Sequence, residues 1–502
     1  MELRELCCGA NIQCPVYEGS IDITSVKSDS REVCVGRLYV FILGLNYDGH
    51  YLIREALRAG APAIVTEEGA HIECDGAAFL NITVPKCRQS LACLLDTWYG
   101  SPSKKMKFIA VTGTNGKTSV TYILKSIFEA AGYKCGLIGT ISCLSENRRL
   151  FSDKRDEFSN MTTPDPGELY RMLSEMVTDG VEYVFIEATS HALELDRLAP
   201  ISFCCGIFTN LTVDHLDFHG NMDKYLSAKQ KLFAVSDIAV INADSDYYNC
   251  IVESCIGRIA TCSINKSDVR YYATEVMDQG DDGYLYTLIY DNNKIHISSK
   301  LNGEFNIMNT LEAAACALEL GVPEKTVKVA IEKFNGVPGR LEKLKFTYDT
   351  DFTIYIDYAH TPDALENLLH AVNKIKKHNQ RTVLLFGCGG DRDKSKRPLM
   401  GEIATRLADF VVITSDNSRN ESRSLIISQI IEGVGDRKNY IVIEDRKKAI
   451  ENTVANIQKN DIIILAGKGH EKYEINNFGR VPFDERKIVE DAIKRRYRDC
   501  RI

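Results

Sequence analysis

The clearest candidate for chemistry is a glycine-rich loop between an apolar run at 108–111 and a helical pattern that begins at 117. The loop consists of Gly113, Thr114, Asn115, Gly116, Lys117, Thr118 and Ser119. Glycines let backbone N–H groups face phosphate oxygens, the lysine neutralises their charge, and the threonine hydroxyl can bind magnesium. Val111 replaces the first glycine of the G-x4-G-K-[ST] pattern, and a tight turn with a solvated lysine is the alternative. The strand-to-helix context favours a nucleotide phosphate site.

Carboxylates and imidazoles downstream of the loop could complete such a site. Glu187 follows an apolar run, where a carboxylate can bind the magnesium that bridges ATP phosphate oxygens. Two carboxylates and two imidazoles then stand close together, at Asp214, His215, Asp217 and His219. Exposed loops also collect such residues, so a surface role is the alternative. We interpret the cluster as metal ligands or a base.

Composition and charge limit the classes of function. The 502 residues suggest roughly three domains. Lys and Arg total 61 against 69 Asp and Glu, without a basic face or tail, so we expect no nucleic-acid partner. The 17 cysteines contain no CxxC pair and are expected to be reduced thiols. No signal-peptide core and no apolar run near ~20 residues is visible, so we expect no membrane insertion and a cytoplasmic location.

The hydrophobic pattern predicts an α/β protein of three domains, comprising residues 1–104, 105–341 and 342–502. In the central domain, strands are predicted at 108–111, 183–186, 206–208 and 238–241, followed by an antiparallel insertion from about 265 to 300. In the last domain, strands are predicted at 354–356, 382–386, 410–413, 440–443 and 462–465. Strands that alternate with helices indicate mostly parallel sheets, whose ligands bind at the carboxyl ends of the strands.

The order of short motifs along the chain resembles the Mur ligase family, cytoplasmic enzymes that extend the peptide stem of peptidoglycan precursors. The matching segments are 113–119, 162–164, 187–191, 209–220, 227–229, 305–309, 339–340 and 357–360. The resemblance implies an N-terminal UDP-substrate domain, a central P-loop ATPase domain and a C-terminal Rossmann-like domain that binds an amino acid. It also implies ATP and Mg2+ as cofactors.

Within that family the chain is most similar to the MurE branch, which adds the third residue of the stem. The motifs at 28–31, 389–394 and 467–471 carry this similarity. By resemblance, the UDP-sugar end of UDP-N-acetylmuramoyl-L-alanyl-D-glutamate is held by Ser30 and Asn46. The muramoyl dipeptide is expected at Thr162, Thr163, Thr189 and Arg197.

The resemblance also implies a set of catalytic and metal-binding residues. Lys229 matches a carbamylated lysine that holds a second magnesium together with His215. A carbamate converts an ammonium into a carboxylate-like ligand, which suits magnesium, whereas the alternative for Lys229 is a solvated helix residue. The expected catalytic residues are Lys117, Glu187, His215 and Lys229, and the expected metal ligands are Thr118, Glu187, His215 and Lys229.

Three further residues correspond to the nucleotide side of the family's site, namely Asn309, Arg340 and Asp357. Helix packing is the alternative for Asn309, and a cation in a linker is the alternative for Arg340. Asp357 ends a predicted strand, which strengthens its assignment.

The incoming amino acid is expected at Asp416, Asn417, Ser418 and Arg419, where the branch carries its recognition motif. An arginine there can pair with the distal carboxylate of meso-diaminopimelate, whereas lysine has no such carboxylate and would leave the charge unpaired. Ser418 replaces the family's proline, which leaves the loop less constrained. Further contacts are expected from Arg392, Gly467 and Glu471.

Together with these residues, the resemblance implies an ATP-dependent ligase that activates the D-glutamyl carboxylate as an acyl phosphate for attack by an amine. Three alternatives remain open: a lysine-adding ligase of the same branch, a ligase like folylpolyglutamate synthetase, and a regulator that binds ATP without turnover. We expect the protein to be a monomer.

Overall fold

A computed structural model describes residues 1–29, 35–44, 48–70, 79–150, 161–347 and 350–499. Within them the chain forms three larger sheets flanked by helices and one small hairpin. The predicted α/β class with mostly parallel sheets is confirmed. The two predicted boundaries, after 104 and after 341, fall between the sheets and stay predictions as exact positions.

The first sheet is fully parallel and small. Its order is β1-β2-β3-β4, with β1 (Ser25–Lys27), β2 (Arg37–Val40), β3 (Ala63–Glu67) and β4 (Leu80–Val84). The helices around it are α1 (Leu3–Gly9), α2 (Ile53–Arg58) and α3 (Cys87–Trp98), with 3-10 turns at Gly49–Leu52 and Pro102–Lys104. The predicted ligands Ser30 and Asn46 lie outside the described residues.

The central sheet has eleven strands in the order β15-β14-β13-β12-β11-β10-β5-β9-β6-β7-β8. The strands are β5 (Lys107–Thr112), β6 (Cys135–Ile138), β7 (Cys143–Ser145), β8 (Arg148–Arg149), β9 (Tyr183–Glu187), β10 (Cys205–Phe208), β11 (Ile238–Asn242), β12 (Arg258–Ser263), β13 (Tyr271–Asp278), β14 (Tyr284–Tyr290) and β15 (Asn293–Ser299). The strands from β6 to β13 in this order pair in parallel, and β13 to β15 form the predicted antiparallel insertion.

Helices cover both faces of the central sheet. They are α4 (Lys117–Ala130), α5 (Pro166–Asp179), α6 (Ser190–Glu194), α7 (Leu216–His219), α8 (Met222–Gln230), α9 (Tyr248–Val252), α10 (Phe305–Glu319) and α11 (Glu324–Lys333), with 3-10 turns at Phe233–Val235 and Gly280–Asp282. Helix α4 buries Val120, Ile123, Leu124, Ile127 and Phe128, which follow helical spacing on one face. That packing fixes the start of α4 at the end of the glycine-rich loop.

The third sheet has the order β16-β17-β21-β18-β19-β20, in which only the β16–β17 pair is antiparallel. Its strands are β16 (Glu342–Lys343), β17 (Thr353–Asp357), β18 (Thr382–Phe386), β19 (Phe410–Ile413), β20 (Tyr440–Val442) and β21 (Ile462–Ala466), and the hairpin is β22 (Tyr473–Asn476) with β23 (Gly479–Pro482). The helices are α12 (Pro362–Ile375), α13 (Lys396–Leu407), α14 (Arg423–Glu432), α15 (Arg446–Ala455) and α16 (Glu485–Asp499).

Each predicted strand of the central and last domains overlaps an observed strand. The predicted strand is most often one residue shorter than the observed one at one or both ends. The segment 440–443 is an exception, because β20 ends at 442. The apolar run at 38–43 overlaps only β2, which ends at Val40. None of the helices within the described residues has both the length and the apolar character needed to cross a membrane.

Candidate active site

A cavity of about 1280 Å³ lies between the central and third sheets, at the carboxyl ends of their strands. It opens where the rule for open α/β sheets places ligands. Its lining includes most of the predicted site residues, namely Thr114, Asn115, Gly116, Lys117, Thr118, Ser119, Thr162, Glu187, Thr189, His215, Asn309, Arg340, Asp357, Arg392, Asp416, Asn417, Arg419, Gly467 and Glu471. Gly113, Thr163, Arg197, Lys229 and Ser418 lie behind this lining.

The glycines of the loop after β5 are required by close backbone approach. A Cβ at Gly113 would lie 1.9 Å from the Thr209 hydroxyl oxygen, and a Cβ at Gly116 would lie 2.7 Å from Asn309 Oδ1. Both glycines also have a positive φ, of 152° and 88°. In this tightly wrapped loop the N–H groups of Thr114 and Asn115 donate to Asn210, at 3.0 and 2.9 Å, and the N–H groups at the start of α4 are left for an anion.

The Lys117 ammonium bonds to the carbonyls of its own loop. Its Nζ donates to Gly113 O at 2.9 Å and to Thr114 O at 2.8 Å. Burial lowers the pKa of Lys117, and the charges of Glu187 and Asp214 oppose that shift. An anionic phosphate oxygen is a stronger acceptor than either carbonyl, so this lysine is placed to exchange them for a phosphate.

Thr118 and Glu187, both predicted metal ligands, are in direct contact. The Thr118 hydroxyl donates to Glu187 Oε2 at 2.9 Å and accepts from Arg340 Nη2 at 3.0 Å. Thr140 orients the carboxylate, since its N–H donates to Glu187 Oε1 at 2.8 Å and its hydroxyl donates to Oε2 at 2.9 Å. A hydroxyl and a carboxylate this close form the hard oxygen donor pair that magnesium prefers, so the residues fit the ion.

Lys229 is buried, with 1% of its surface exposed, so the alternative of a solvated helix residue is wrong. Its Nζ donates to Gly113 O at 2.9 Å and lies 4.5 Å from the centre of the Tyr225 ring. Burial and the nearby Lys117 charge hold the pKa of Lys229 well below its usual value. A lysine kept neutral is the form that adds carbon dioxide, which fits the predicted carbamate.

His215 immediately precedes α7, has a φ of 55° and lies beside a second imidazole. Its Nε2 is 3.4 Å from Asp214 Oδ2, and its ring centre is 4.9 Å from that of His191. Burial lowers the pKa of His215, and the His191 and Lys117 charges add to this against the opposing Asp214. A neutral imidazole with a free lone pair is the form that binds metals.

The predicted dipeptide residues are gathered next to Glu187. The Thr163 hydroxyl donates to Glu187 O at 2.6 Å and lies 3.1 Å from the Thr189 hydroxyl. Arg197 Nη1 donates to Thr163 O at 2.9 Å, and Arg197 Nη2 lies 3.1 Å from Asp165 Oδ1. Thr162 is tied to the same carboxylate through Thr140, whose hydroxyl lies 3.1 Å from its own.

The residues predicted on the nucleotide side differ in how many hydrogen bonds they already make within the protein. Asp357 accepts from the Leu341 N–H and the Ala359 N–H, both at 2.6 Å, and burial raises its pKa. Asn309 Nδ2 donates to Asn306 Oδ1 at 2.8 Å, which leaves its Oδ1 facing the glycine-rich loop. One turn further along α10, the fully buried Glu312 also borders the cavity, and sequence reasoning missed it.

Arg392 and Arg419 carry the positive charge at the third sheet. Arg392 Nη1 donates to Asp391 O at 2.9 Å, and Arg419 Nη1 donates to Gly390 O at 2.9 Å. In the part of the chain that the structure describes, neither guanidinium forms an ion pair with a carboxylate. Burial and the Arg392 charge lower the pKa of Arg419. The pair is therefore ready to accept an anion.

The predicted ammonium-binding carboxylates already share a cation, Lys468. Sequence reasoning did not assign Lys468 to the site. The fully buried Lys468 Nζ lies 3.3 Å from Asp416 Oδ1 and donates to Asn417 Oδ1 at 2.9 Å. Asn417 Nδ2 then donates to Glu471 Oε2 at 2.9 Å. Burial raises the pKa of Glu471 against the opposing Lys468 charge. Asp416 and Glu471 are therefore oriented by Lys468 and Asn417 rather than open on all sides.

Gly467 and Ser418 shape the same corner. Gly467 has a φ of 113°, and a Cβ there would lie 2.6 Å from Asp416 Oδ2, so only glycine fits. Ser418 is 4% exposed and packs its carbonyl against Gly390. The C-terminal part also contacts the central part directly, where Lys396 Nζ lies 3.9 Å from Asp214 Oδ1.

Family models match three stretches of the chain. They describe a Mur ligase family catalytic domain at residues 22–99, a Mur ligase middle domain at 111–317, and a Mur ligase glutamate ligase domain at 339–469. The chain belongs to the Mur ligase family.

Relatives and a solved structure agree with that assignment. The UDP-N-acetylmuramoyl-L-alanyl-D-glutamate--2,6-diaminopimelate ligase of Clostridium botulinum is 40% identical over 484 residues, which cover 95% of this chain and 97% of that protein. The protein of the same name from Clostridium tetani is 38% identical over 478 residues, covering 95% of this chain and 96% of that protein. A solved structure of a ligase of that name has a TM-score of 0.65 at 29% identity and covers 95% of both chains.

Proposed function

We propose that this chain is an ATP- and magnesium-dependent amide ligase of peptidoglycan precursor synthesis. It joins meso-diaminopimelate to the D-glutamyl carboxylate of UDP-N-acetylmuramoyl-L-alanyl-D-glutamate, through an acyl phosphate. The observation that carries the proposal is a cavity that joins the glycine-rich loop to two guanidinium groups, neither of which is ion-paired with a carboxylate of the described residues. The relatives that bear the corresponding name match nearly the whole chain.

Phosphoryl transfer takes place at the loop after β5. Lys117 and the loop N–H groups hold the ATP phosphates, and Arg340, bonded to the Thr118 hydroxyl, brings a second positive charge to the γ-phosphate side. Magnesium bound by Thr118 and Glu187 would offset the charge that develops on the phosphate oxygens. Carbamylated Lys229 and His215 would hold the second magnesium beside the substrate carboxylate. The chain mainly positions the D-glutamyl carboxylate and ATP for in-line transfer.

Amide formation takes place at the opposite wall of the cavity. Arg392 and Arg419 pair with the distal carboxylate of diaminopimelate, and Asp416 and Glu471 meet its distal ammonium. These contacts leave the second amine directed at the acyl phosphate. Attack of that amine on the acyl carbon gives a tetrahedral intermediate, which releases phosphate and leaves the amide. Domain closure around the substrates excludes water from this step.

The alternatives are less well supported. Lysine would leave the Arg392 and Arg419 guanidinium groups, of which Arg419 is partly buried, without a distal carboxylate to pair with. A ligase like folylpolyglutamate synthetase would not explain the similarity of the whole chain, including its first domain, to diaminopimelate ligases. A regulator without turnover has no use for the carboxylate-binding arginines.

An omission assay tests the proposal. Purified protein with ATP, magnesium, the muramoyl dipeptide and meso-diaminopimelate should release ADP and form an amide, and omission of any one component should stop both. When the D-glutamyl carboxylate carries oxygen-18, one labelled oxygen should appear in the released phosphate, because the acyl phosphate transfers it. ADP release without label transfer would contradict the acyl phosphate.

We further propose that the protein acts as a cytoplasmic monomer. The support for a monomer is that the cavity brings the predicted nucleotide and amino-acid residues together without a second copy of the chain. The support for a cytoplasmic location is the proposed co-substrate, ATP. Light scattering during size-exclusion chromatography should give a mass near 56.2 kDa. A mass near twice that value, unchanged on dilution, would contradict the monomer.

A further inference from the structure

We propose that Arg397 and Glu421 form a brace that positions Arg392 and Arg419 for the distal carboxylate of the incoming amino acid. This inference rests on the proposed function and adds two positioning residues to it. Neither residue lines the cavity, and both act through the loops that carry the two cavity arginines.

Arg397 makes a two-pronged ion pair in the interior. Its side chain, near the start of α13, is fully buried. Nη1 donates to Glu421 Oε2 and Nη2 donates to Glu421 Oε1, each at 3.0 Å. The parallel geometry of such a pair fixes direction as well as distance. A third bond, from Nη2 to Gly389 O at 3.0 Å, attaches the loop after β18 to the same guanidinium.

Glu421 joins the two arginine-bearing loops. It follows Arg419 by two residues, yet its Oε1 accepts from the Asp391 N–H of the other loop at 2.6 Å. Further bonds run in parallel, from Gly390 N–H to Asn417 O at 2.9 Å and from Asn420 Nδ2 to Asp391 Oδ2 at 2.8 Å. The loops 389–392 and 417–421 therefore move as one unit, with Arg397 as the anchor beneath them.

The anchor lies directly under both cavity arginines. A Cβ at Gly389 would lie 3.1 Å from Arg419 Nη1 and 3.9 Å from Arg392 Cγ, so this glycine lies against both side chains. The Gly389 carbonyl is the one that Arg397 holds. A displacement of Gly389 would consequently change the distance between the guanidinium groups of Arg392 and Arg419.

A brace is needed because the two guanidinium groups repel each other. The Arg392 charge disfavours the charged form of Arg419, the charges of Asp416 and Glu471 offset this only in part, and neither arginine forms an ion pair with a carboxylate of the described residues. Holding like charges together before the substrate arrives requires a scaffold whose own bonds outweigh the repulsion. A misplacement of about 1 Å can cost about 100-fold in rate, so the brace contributes to affinity and selectivity.

Glu421→Gln tests the brace, because it keeps the size of the side chain and removes its charge. The matched control is Asp461→Asn, which weakens another two-pronged pair, with Arg381 Nε at 3.1 Å and Nη2 at 2.8 Å, away from the cavity. Both variants are assayed at a temperature where circular dichroism shows them folded. The readouts are kcat and KM for diaminopimelate, for ATP and for lysine at high concentration.

For Glu421→Gln we expect KM for diaminopimelate to rise by about tenfold to 100-fold, with KM for ATP within about twofold. The kcat/KM for lysine should stay within about twofold, because lysine has no distal carboxylate for the arginines to bind. Glu421→Asp should recover part of the loss, and Arg397→Lys should resemble Glu421→Gln. Asp461→Asn should lower the melting temperature without a change in selectivity.

An equal loss with diaminopimelate and lysine, or a fall in melting temperature with unchanged KM values, would overturn the brace. These outcomes differ from failure of the proposed function, which would already show in the unaltered protein as no turnover of diaminopimelate. If the unaltered protein preferred lysine, the incoming amino acid would have no distal carboxylate for Arg392 and Arg419 to bind. The brace would then also be overturned.

Discussion

The two walls of the cavity hold their cations in different ways. At the glycine-rich loop, the side-chain nitrogens of Lys117 and Lys229 both donate to the carbonyl of Gly113, so two amine groups converge on one backbone acceptor. At the third sheet, Arg392 and Arg419 each bond to a loop carbonyl and are held in place by an ion pair beneath the loops. The first wall is built from backbone and helix start, and the second from side chains that brace other side chains.

The difference separates the common reaction from the choice of amine. Phosphate is recognised by N–H groups and a lysine. These contacts are the same whichever amino acid is added. A distal carboxylate is recognised by the spacing of two guanidinium groups, and that spacing depends on interior residues. Changes at the first wall should therefore affect every amino acid equally, and changes at the second wall should affect selectivity.

Loss of Lys229 is expected to have the largest effect. Lys229→Ala should reduce kcat by at least about 100-fold with any amino acid, because a charged ligand beside the reacting phosphate is removed. A small added carboxylate, such as acetate, should restore part of the activity in steady-state ADP release.

The matched control is Lys224→Ala, at an exposed position on the same helix, which should retain full activity. Retention of activity in Lys229→Ala would remove the metal-binding role, and a loss confined to diaminopimelate would break the distinction between the walls.

Truncation at the second wall should be selective. Arg419→Ala should raise KM for diaminopimelate by roughly 30-fold or more, since loss of one partner of a buried charge pair costs about 2–5 kcal/mol. The kcat at saturation and KM for ATP should change little in the same assay. Arg406→Ala, which removes a half-exposed arginine paired with Glu366, should leave all three constants unchanged.

Equal effects of Arg419→Ala on ATP and on diaminopimelate would show that the walls are not independent.

Histidine burial between the walls should make stability depend on pH. His360 Nδ1 donates to Tyr358 O, and burial together with the Lys396 charge lowers the pKa of His360 from 6.5 to about 4. The unfolded chain then binds more protons between pH 6.5 and about 4, so the free energy of unfolding should fall as pH is lowered through that window.

Urea unfolding at several pH values measures this dependence. His360→Gln should reduce this dependence by the share of one histidine, whereas His378→Gln, at an exposed position, should leave it unchanged. Identical pH dependence in His360→Gln and the unaltered protein would contradict the assignment.

The smallest effect is expected at Ser418, where the family pattern has proline. In the described structure the Ser418 amide donates no hydrogen bond, so proline would cost none. Ser418→Pro should stabilise the folded state by about 0.4–1 kcal/mol by restricting the unfolded chain, with kcat/KM within about threefold. A tenfold loss of activity would show that this loop needs a conformation that proline does not allow.

Sequence reasoning identified the first wall more fully than the second. Gly113 to Lys117 are contiguous, and their spacing alone predicts phosphate binding. Apolar runs such as that within β5 predict the strands around them. The brace joins Arg397 on one helix to Glu421 after another strand, and nothing local in either segment indicates the contact. Lys468 was part of a recognised motif, but its burial between Asp416 and Asn417 depends on tertiary packing.

The central claim is that the second wall selects an amino acid with a distal carboxylate. The most direct measurement is kcat/KM of the unaltered protein for meso-diaminopimelate and for L-lysine under the same ATP, magnesium and muramoyl dipeptide concentrations. We predict a preference for diaminopimelate of at least about 100-fold, because lysine leaves both guanidinium groups unpaired. Equal values, or a higher value for lysine, would contradict the account.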